Sequence, residues 1–183
     1  MTVVWIILGI VVLVALYVFT QYNGLVKVRN RIENAWAQID VQLKRRYDLI
    51  PNLVETVKGY ASHERATLDA VITARNAAMG AQGVAGKAAA ENGLSGTLKS
   101  LFALSEAYPD LKANQNFLNL QEELTGTEDK IAYSRQFFND EVRSYNTKIQ
   151  SFPTNMLAKK FAFAQREYFQ TEAAERGPTT VKF

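Results

Sequence analysis

The sequence predicts an all-α protein: a single N-terminal transmembrane helix continuous with an antiparallel up-down bundle of about four helices, two long and two short. The first observation is an uncharged apolar segment from Val3 to Thr20. The second is a stripe of apolar or small residues after it that recurs about every 3.6 residues, the α-helical period. The third is a later stripe, from Phe117 to Ile149, whose steps of three, four or seven residues also fit a helix.

Composition bounds the architecture and removes several classes of function. The chain has 183 residues, enough for one domain plus an anchor. It contains no cysteine, which excludes a disulfide framework and a thiolate metal site. The net charge is only +3 and basic runs are short, so a nucleic-acid partner has little support. We predict an anchor at residues 1–21, a helical bundle domain at 22–170 and a flexible C-terminal tail at 171–183.

The apolar segment has the length and the ends of a membrane span. As a helix, Val3 to Thr20 covers roughly 27 Å, close to the ~30 Å hydrocarbon core of a bilayer. Trp5 near one end and Tyr17 and Tyr22 near the other suit the two aromatic belts. A cleaved signal peptide would need a positive start and a small-x-small site, and neither is present. We therefore predict an uncleaved, single-pass anchor.

Flanking charge predicts the orientation of the anchor. Lys27, Arg29 and Arg31 follow the span closely, with Glu33 after them, whereas no charged side chain precedes it. The positive-inside rule then places the N-terminus outside and the bundle on the cytoplasmic side.

The first long helix of the bundle is predicted to run, with a bend, to Val71. Pro51 predicts a kink and Gly59 a weak point, but no polar loop cluster accompanies either. The basic run at 44–46 lies roughly 38 Å beyond the span, so we interpret it as a solvated or salt-bridged face. Apolar or small residues recur at positions 28, 32, 35, 39, 43, 46 or 47, 50, 53 or 54, 57, 60 or 61, 64, 68 and 71, with Glu64 as the break.

Four further predictions complete the chain. The Ala- and Gly-rich stretch 77–96 is predicted to be a flexible connection, followed by a short helix at 98–108. The second long helix is predicted at 111–150, with a bend where Thr127 could cap a restart after Gly126. A last short helix is predicted at 156–169; it either closes the bundle or lies on a membrane or partner surface.

No catalytic constellation is recognisable. His63 is the only histidine, so a zinc site of the HExxH type or a di-iron bundle cannot be assembled. No serine lies in a nucleophile elbow. Helical carboxylates such as Glu55, Glu64 and Glu123 are too common for their spacing to indicate a pair. We predict no enzyme activity, no cofactor, and no catalytic, cofactor-binding or metal-binding residues.

Several blocks resemble the LemA family. They lie along most of the chain, from the anchor to about Phe169, and are specific when taken together. The blocks are Tyr22-Asn23 with Leu25-Val26, Glu33 to Arg46 (ENAWAQIDVQLKRR), Asp48 to Val54 (DLIPNLV), Val57 to Ala61 with His63 and Glu64, Ala74-Arg75, Tyr108 to Phe117 (YPDLKANQNF), Leu120 to Leu124 (LQEEL), Gly126 to Glu128, Tyr145-Asn146 and Phe152 to Asn155 (FPTN).

The resemblance implies a single-pass protein of the bacterial inner membrane with an up-down helical bundle and an N-out orientation. Family relatives include a protein of magnetosome membranes, and family genes often neighbour a membrane zinc metalloprotease. No enzymatic activity is established for the family, so it supplies no catalytic residues. The segment 158–163 departs from the family pattern, which more often has small residues and Gly around its aromatics.

Polar residues within the resembling blocks are candidates for a functional surface. Two interpretations stay open: a buried polar network or an interface. The residues are Glu33, Arg45, Asp48, Asn52, Glu64, Arg75, Asn114 and Asn116.

The leading hypothesis for function is a non-enzymatic, membrane-anchored scaffold. It would self-associate as a homo-oligomer, bind another envelope protein such as a membrane metalloprotease, or both, with effects on membrane organisation or protein quality control. The alternative is a helical module at the membrane surface that senses a ligand or a lipid.

Overall fold

The described residues of the computed structural model, 1–169, form helices and connecting turns without a strand, which confirms the all-α prediction. The predicted tail at 171–183 lies outside the described residues. Six helices occur where about four were expected. They are α1 Thr2–Lys58, α2 Arg65–Gly80, α3 Gly83–Ser105, α4 Pro109–Lys112, α5 Gln115–Gln150 and α6 Thr154–Lys160.

The chain divides into two compact units. Unit 1 contains Met1–Ala37 and Gln136–Glu167, and unit 2 contains Gln38–Arg135 with Tyr168 and Phe169. The two long helices, α1 and α5, contribute to both units. The buried stripes predicted on these helices are confirmed: Val28, Ile32, Ile39, Leu43, Ile50, Val57, Phe117, Leu124, Ile131, Phe138, Val142 and Tyr145 are all buried.

The apolar segment at the start of α1 is exposed along its length. Within residues 1–169, α1 is the one helix whose length and composition allow it to cross a membrane. Burial begins at Leu25, which is fully buried. The transition from exposed to buried therefore takes place within a single uninterrupted helix, as predicted.

The prediction that this helix reaches Val71 is wrong, because α1 ends at Lys58 and α2 begins at Arg65. The amide N–H of Ala61 donates to the carbonyl of Val57 at 2.8 Å and closes the last turn. Gly59 follows Lys58, and glycine loses more backbone entropy in a helix than any other residue. The chain turns at this point. Ala61 stays buried, so the apolar spacing predicted from the sequence continues beyond the end of the helix.

Pro51 lies inside α1 without ending it. Proline has no N–H, so the carbonyl of Tyr47, four residues earlier, loses its partner within the helix. The Nε–H of Arg75 on α2 donates to that carbonyl at 2.8 Å. A side chain from the next helix thus satisfies the acceptor that Pro51 leaves free.

The predicted flexible connection at 77–96 is also wrong, since α3 starts at Gly83. Alanine is the best helix former, and the buried side chains of α3 follow helical steps. The intervals of three and four place them on one face: Ala88, Glu91, Leu94, Leu98, Leu101 and Ser105. Packing of this face, together with the contact of α3 with α2, outweighs the cost of the glycines.

The second long helix starts later than predicted and does not restart at Thr127. The side-chain Oδ1 of Asn114 accepts from the N–H of Phe117 at 3.0 Å and so caps α5. Thr127 is buried, and its hydroxyl donates to the carbonyl of Glu123 at 2.7 Å. This hydrogen bond to the preceding turn replaces the predicted cap, and α5 continues to Gln150.

The last helix is much shorter than the predicted 156–169, because the chain leaves helical geometry after Lys160. Ala162 adopts a left-handed conformation with φ of 54°. The N–H of Phe163 donates to the carbonyl of Ala158 at 2.9 Å, and that of Ala162 to the carbonyl of Lys159 at 3.3 Å. This is a Schellman ending with alanine in the position that usually holds glycine.

Candidate functional site

A cluster of buried charged and polar side chains lies inside unit 2. The guanidinium of Arg46 on α1 is 3.2 Å from the carboxylate of Glu91 on α3, and both side chains are almost completely buried. Arg46 also lies 3.1 Å from Glu128 on α5, which is partly exposed. Its second terminal nitrogen donates to Ser95 at 2.8 Å. We name Arg46, Tyr47, Glu91, Ser95 and Glu128 the buried charge cluster.

Tyr47 completes the cluster beside Arg46. Its hydroxyl donates to the second carboxylate oxygen of Glu91 in a short hydrogen bond. The ammonium of Lys87 lies 5.7 Å from the centroid of the Tyr47 ring and donates to the carbonyl of Ala78 at 3.3 Å. Both oxygens of Glu91 therefore have partners, which a fully buried carboxylate requires.

Burial dominates the ionisation of the cluster. It raises the pKa of the Tyr47 phenol well above its usual range, and the hydrogen bond to Glu91 raises it further. Burial also raises the pKa of Glu91, opposed by the hydrogen bond from Tyr47 and by the charge of Arg46. The phenol stays protonated, so it serves as a hydrogen-bond donor to Glu91 rather than as a base.

A small cleft opens beside the cluster. It has a volume of about 180 Å³ and is bordered by Arg46, Ser95, Phe102 and Glu128 among others. Most ligand pockets for drug-sized molecules are about 300–1,000 Å³, so this cleft could admit only a small molecule. Its lining offers two cations, Arg46 and Lys99, two carboxylates, Glu128 and Asp129, and the aromatic ring of Phe102.

A second polar group joins the turn after α1 to the segment around α4. Tyr108 donates to the carboxylate of Glu64 at 3.0 Å. The amide of Asn114 donates to the hydroxyl of Tyr60 at 2.8 Å. The hydrogen bond that Tyr108 donates to Glu64 raises the pKa of the Tyr108 phenol. These contacts fix the turn that interrupts the predicted long helix.

Four of the eight predicted polar residues lie exposed on α1. Three of them have ion-pair partners on the surface, and the side chain of Asn52 is exposed. The ion pairs are Glu33 with Arg166 at 3.9 Å, Arg45 with Glu123 at 3.6 Å and Asp48 with Lys44 at 2.7 Å. Exposed pairs of this kind contribute little to stability, so these side chains are available to a partner.

The other four predicted residues have more defined positions. Glu64 and Asn114 belong to the turn contacts around α4, and Arg75 satisfies the carbonyl of Tyr47. Asn116 is exposed near the start of α5. The structure brings Glu64 and Asn114 to the same turn, and the role of the set as an interface stays a prediction.

The prediction missed Glu91 and the burial of Arg46. Glu91 lies in the Ala- and Gly-rich stretch 77–96, whose composition predicts a flexible connection and not a helical face. Arg46 occupies a position of the apolar stripe, between Leu43 and Ile50. A charged residue on a buried helical face needs a partner of opposite charge, and that signal could have identified it.

The predicted anchor aromatics have different surroundings. Trp5 and Tyr17 are exposed on the apolar segment. Tyr22 packs edge-on against Phe161 at 5.0 Å and Phe163 at 5.8 Å between ring centroids. Within unit 1, the chain that follows α6 therefore packs against α1 just beyond the apolar segment.

Comparison with known proteins gives one consistent result. A sequence profile described as the LemA family matches residues 35–183. Protein LemA of Metamycoplasma hominis is 29% identical over 158 residues, covering 84% of this chain and 71% of the relative. Magnetosome protein MamQ of Magnetospirillum gryphiswaldense is 26% identical over 184 residues, covering 86% of this chain and 68% of the relative. MamQ 2 of Paramagnetospirillum magneticum matches to the same extent.

Proposed function

The chain belongs to the LemA family, and we propose that it is a membrane-anchored helical scaffold that self-associates and binds another envelope protein. The observation that carries this proposal is the continuity of α1 from the exposed apolar segment to Lys58. Anchor and folded part share one helix without a linker. Such an arrangement holds the buried residues of unit 1, from Leu25 onwards, at a fixed distance from the bilayer, as a scaffold requires.

The distribution of charged side chains supports the same proposal. The most buried charges, Arg46 and Glu91, neutralise each other. Carboxylates that could otherwise form a reactive pair have surface partners: Glu55 lies 3.5 Å from Lys58 and Glu123 lies 3.6 Å from Arg45. These paired charges are suited to holding helices together and to presenting a polar surface. They are less suited to catalysis.

Subunit counting tests self-association. The full-length chain, labelled once with a fluorophore, would be reconstituted into vesicles at low density and counted by single-molecule photobleaching. We expect more than one bleaching step per particle. Monomers throughout, together with no membrane protein recovered after cross-linking in cells, would overturn the proposal.

A control separates the anchor from the folded part. Replacing residues 3–19 with leucine keeps an apolar span but removes its specific surface. If the folded part drives association, the oligomer persists in this variant. If only the original span associates, the proposal that the folded part is the scaffold fails.

We propose the N-out orientation with the bundle in the cytoplasm of a bacterial cell, and an envelope protein such as a membrane metalloprotease as partner. Ala89 is exposed on α3, and the chain has no cysteine. A single cysteine introduced by Ala89→Cys should be protected from a membrane-impermeant thiol reagent in intact cells. Labelling before lysis would reverse the proposed orientation.

The cleft beside Arg46 favours one second candidate, a module that senses a small ligand. A guanidinium, a hydroxyl and a carboxylate converge on a partly apolar space of about 180 Å³. Ligand binding to the folded state would raise the melting temperature. A thermal-shift screen should find small polar metabolites that stabilise the native chain but not Thr125→Trp, in which the larger side chain fills the cleft.

A further inference from the structure

Exposed apolar side chains concentrate in the segment from Phe152 to Phe161, which we name the 152–161 turn. Phe152 is 80% exposed, Met156 is 65% exposed and Phe161 is 43% exposed. Lys159 and Lys160 are exposed in the same segment. An apolar surface with adjacent lysines is typical of elements that lie in a membrane interface.

The 152–161 turn lies beside the residues that follow the membrane span. The hydroxyl of Thr154 donates to the side-chain oxygen of Gln21 at 3.4 Å, and Phe161 packs against Tyr22. Tyr22 is two residues beyond Thr20, or roughly 3 Å along a helix. The headgroup layer extends several Å beyond the hydrocarbon core, so a bilayer around α1 places this turn at its surface.

Two independent contacts hold the chain after the turn in position. Ala162 ends α6 in the Schellman geometry, which sends Phe163 back towards Tyr22. The side-chain amide of Asn146 then binds the backbone of Arg166 twice, accepting from its N–H and donating to its carbonyl, each at 2.9 Å. The C-terminal end of the 152–161 turn is therefore held in place.

The charge of this end of unit 1 is mainly basic, although Arg143 lies 3.8 Å from Asp140 and Arg166 lies 3.9 Å from Glu33. Residues 1–32 and 142–166 contain no Asp or Glu, so all 18 acidic residues lie elsewhere. The same two ranges contain eight of the 21 basic residues: Lys27, Arg29, Arg31, Arg143, Lys148, Lys159, Lys160 and Arg166. Lys148 also lies at this level, since its ammonium is 3.5 Å from where a Cβ on Gly24 would be.

We propose that the 152–161 turn is a second membrane contact, which inserts Phe152 and Met156 among the headgroups of an anionic bilayer. Lys159 and Lys160 lie next to the lipid phosphates. Continuity with the span and the mainly basic charge favour a lipid surface over a protein partner, because anionic headgroups attract basic segments within a Debye length. The inference rests on the anchoring part of the proposed function and goes beyond it.

The test uses single-cysteine variants of the full-length chain labelled with an environment-sensitive fluorophore. Met156→Cys and Phe152→Cys report on the turn, and Val14→Cys reports on the span. Phe137→Cys is the matched control, because Phe137 is an exposed aromatic residue of unit 1. It lies roughly 16 Å along α5 from Lys148. Each variant is reconstituted into vesicles with brominated phosphatidylcholine, with or without phosphatidylglycerol.

We expect bromine to quench the labels at positions 14, 152 and 156 but not the label at 137. Quenching at 156 should rise with the phosphatidylglycerol content. A label at 156 that emits as if buried but is not quenched by brominated lipid has a protein neighbour, and it overturns the inference. Quenching at 14 without quenching at 152 and 156 overturns it while leaving the anchor intact. No quenching at 14 removes both proposals.

Charge variants test the lipid preference. Lys159→Gln combined with Lys160→Gln should reduce the phosphatidylglycerol-dependent part of quenching at 156 by about twofold or more. Lys99→Gln combined with Lys130→Gln removes the same charge from exposed positions of unit 2 and should leave it unchanged. An equal effect of both pairs would mean that net charge alone acts, and the proposed phosphate contact would be wrong.

Discussion

Charged side chains have opposite arrangements in the two units. Unit 2 buries Arg46 against Glu91, so the two charges are balanced and almost inaccessible. In unit 1, the acid-free ranges 1–32 and 142–166 place their basic side chains mainly on the surface, where Arg143 and Arg166 lie near Asp140 and Glu33 and the other six outnumber the acidic residues of the same ranges. A balanced buried pair can fix the positions of helices but presents almost no surface to a protein or a membrane. An unbalanced exposed group is available to either.

The largest predicted effect breaks the balance inside unit 2. Arg46→Leu leaves Glu91 buried without its main counterion and should destabilise the protein by about 3–5 kcal/mol. The matched control is Arg45→Leu, one residue earlier, which removes an exposed pair worth about 1 kcal/mol or less. Thermal melting followed by circular dichroism in detergent should show a difference of roughly 10 °C between the two variants. Equal losses would mean that burial does not distinguish the two pairs.

The second prediction concerns the polar contact that fixes unit 1. Asn146→Ala removes both hydrogen bonds to the backbone of Arg166 and should cost about 2 kcal/mol. Hydrogen exchange at the Arg166 amide should accelerate, because that N–H loses its acceptor. Thr147→Ala, at the exposed neighbouring position, serves as the control and should leave the exchange rate at Arg166 unchanged.

The third prediction is a pH dependence of unit 2. The pKa of Tyr47 is raised by burial in the folded state, whereas an unfolded tyrosine titrates near about 10. Above that pH the unfolded state binds fewer protons than the folded state does. The free energy of unfolding therefore falls as pH rises, by up to ~1.4 kcal/mol per pH unit for this group. Tyr47→Phe should flatten the loss of stability between pH 10 and 11. Parallel losses in the wild type and the variant would contradict the buried position of the phenol.

The smallest predicted effect concerns one hydrogen bond, from Arg75 to the carbonyl of Tyr47. Arg75→Ala should cost about 1 kcal/mol, because the carbonyl of Tyr47 loses its donor. In a Pro51→Ala background the new N–H at position 51 can restore the bond within the helix. The same Arg75→Ala change should then cost about half as much or less. If the loss of stability were identical in both backgrounds, Arg75 would not be compensating for the N–H that Pro51 lacks.

The helical faces of α1 and α5 were predictable because burial on a helix imposes a period on the sequence. Ile39, Leu43 and Ile50 are each 1% exposed or less, as their spacing indicates. Helix ends were less predictable. Gly59 and Thr127 are weak local signals, and whether a helix ends at such a residue depends on tertiary contacts that no single sequence displays.

The candidate site was least predictable where two local signals conflicted. The glycines around Glu91 favour a loop, whereas its alanines favour a helix, and burial of Leu94 and Leu98 decides between them. The partner of Arg46 lies 45 residues away in the chain. Pairing at that separation depends on how α3 packs, which composition and spacing do not specify.

Because α1 is uninterrupted, it also fixes the rotation of its apolar segment, about the helix axis, relative to the 152–161 turn. A helix turns by about 100° for each residue and rises 1.5 Å. One residue inserted between Thr20 and Gln21 would therefore rotate the span by roughly that angle relative to the 152–161 turn. Insertion of seven residues would nearly restore the original azimuth, at the expense of about 10 Å of added height. The helical phase of α1 thus determines which side of the apolar segment lies above the 152–161 turn.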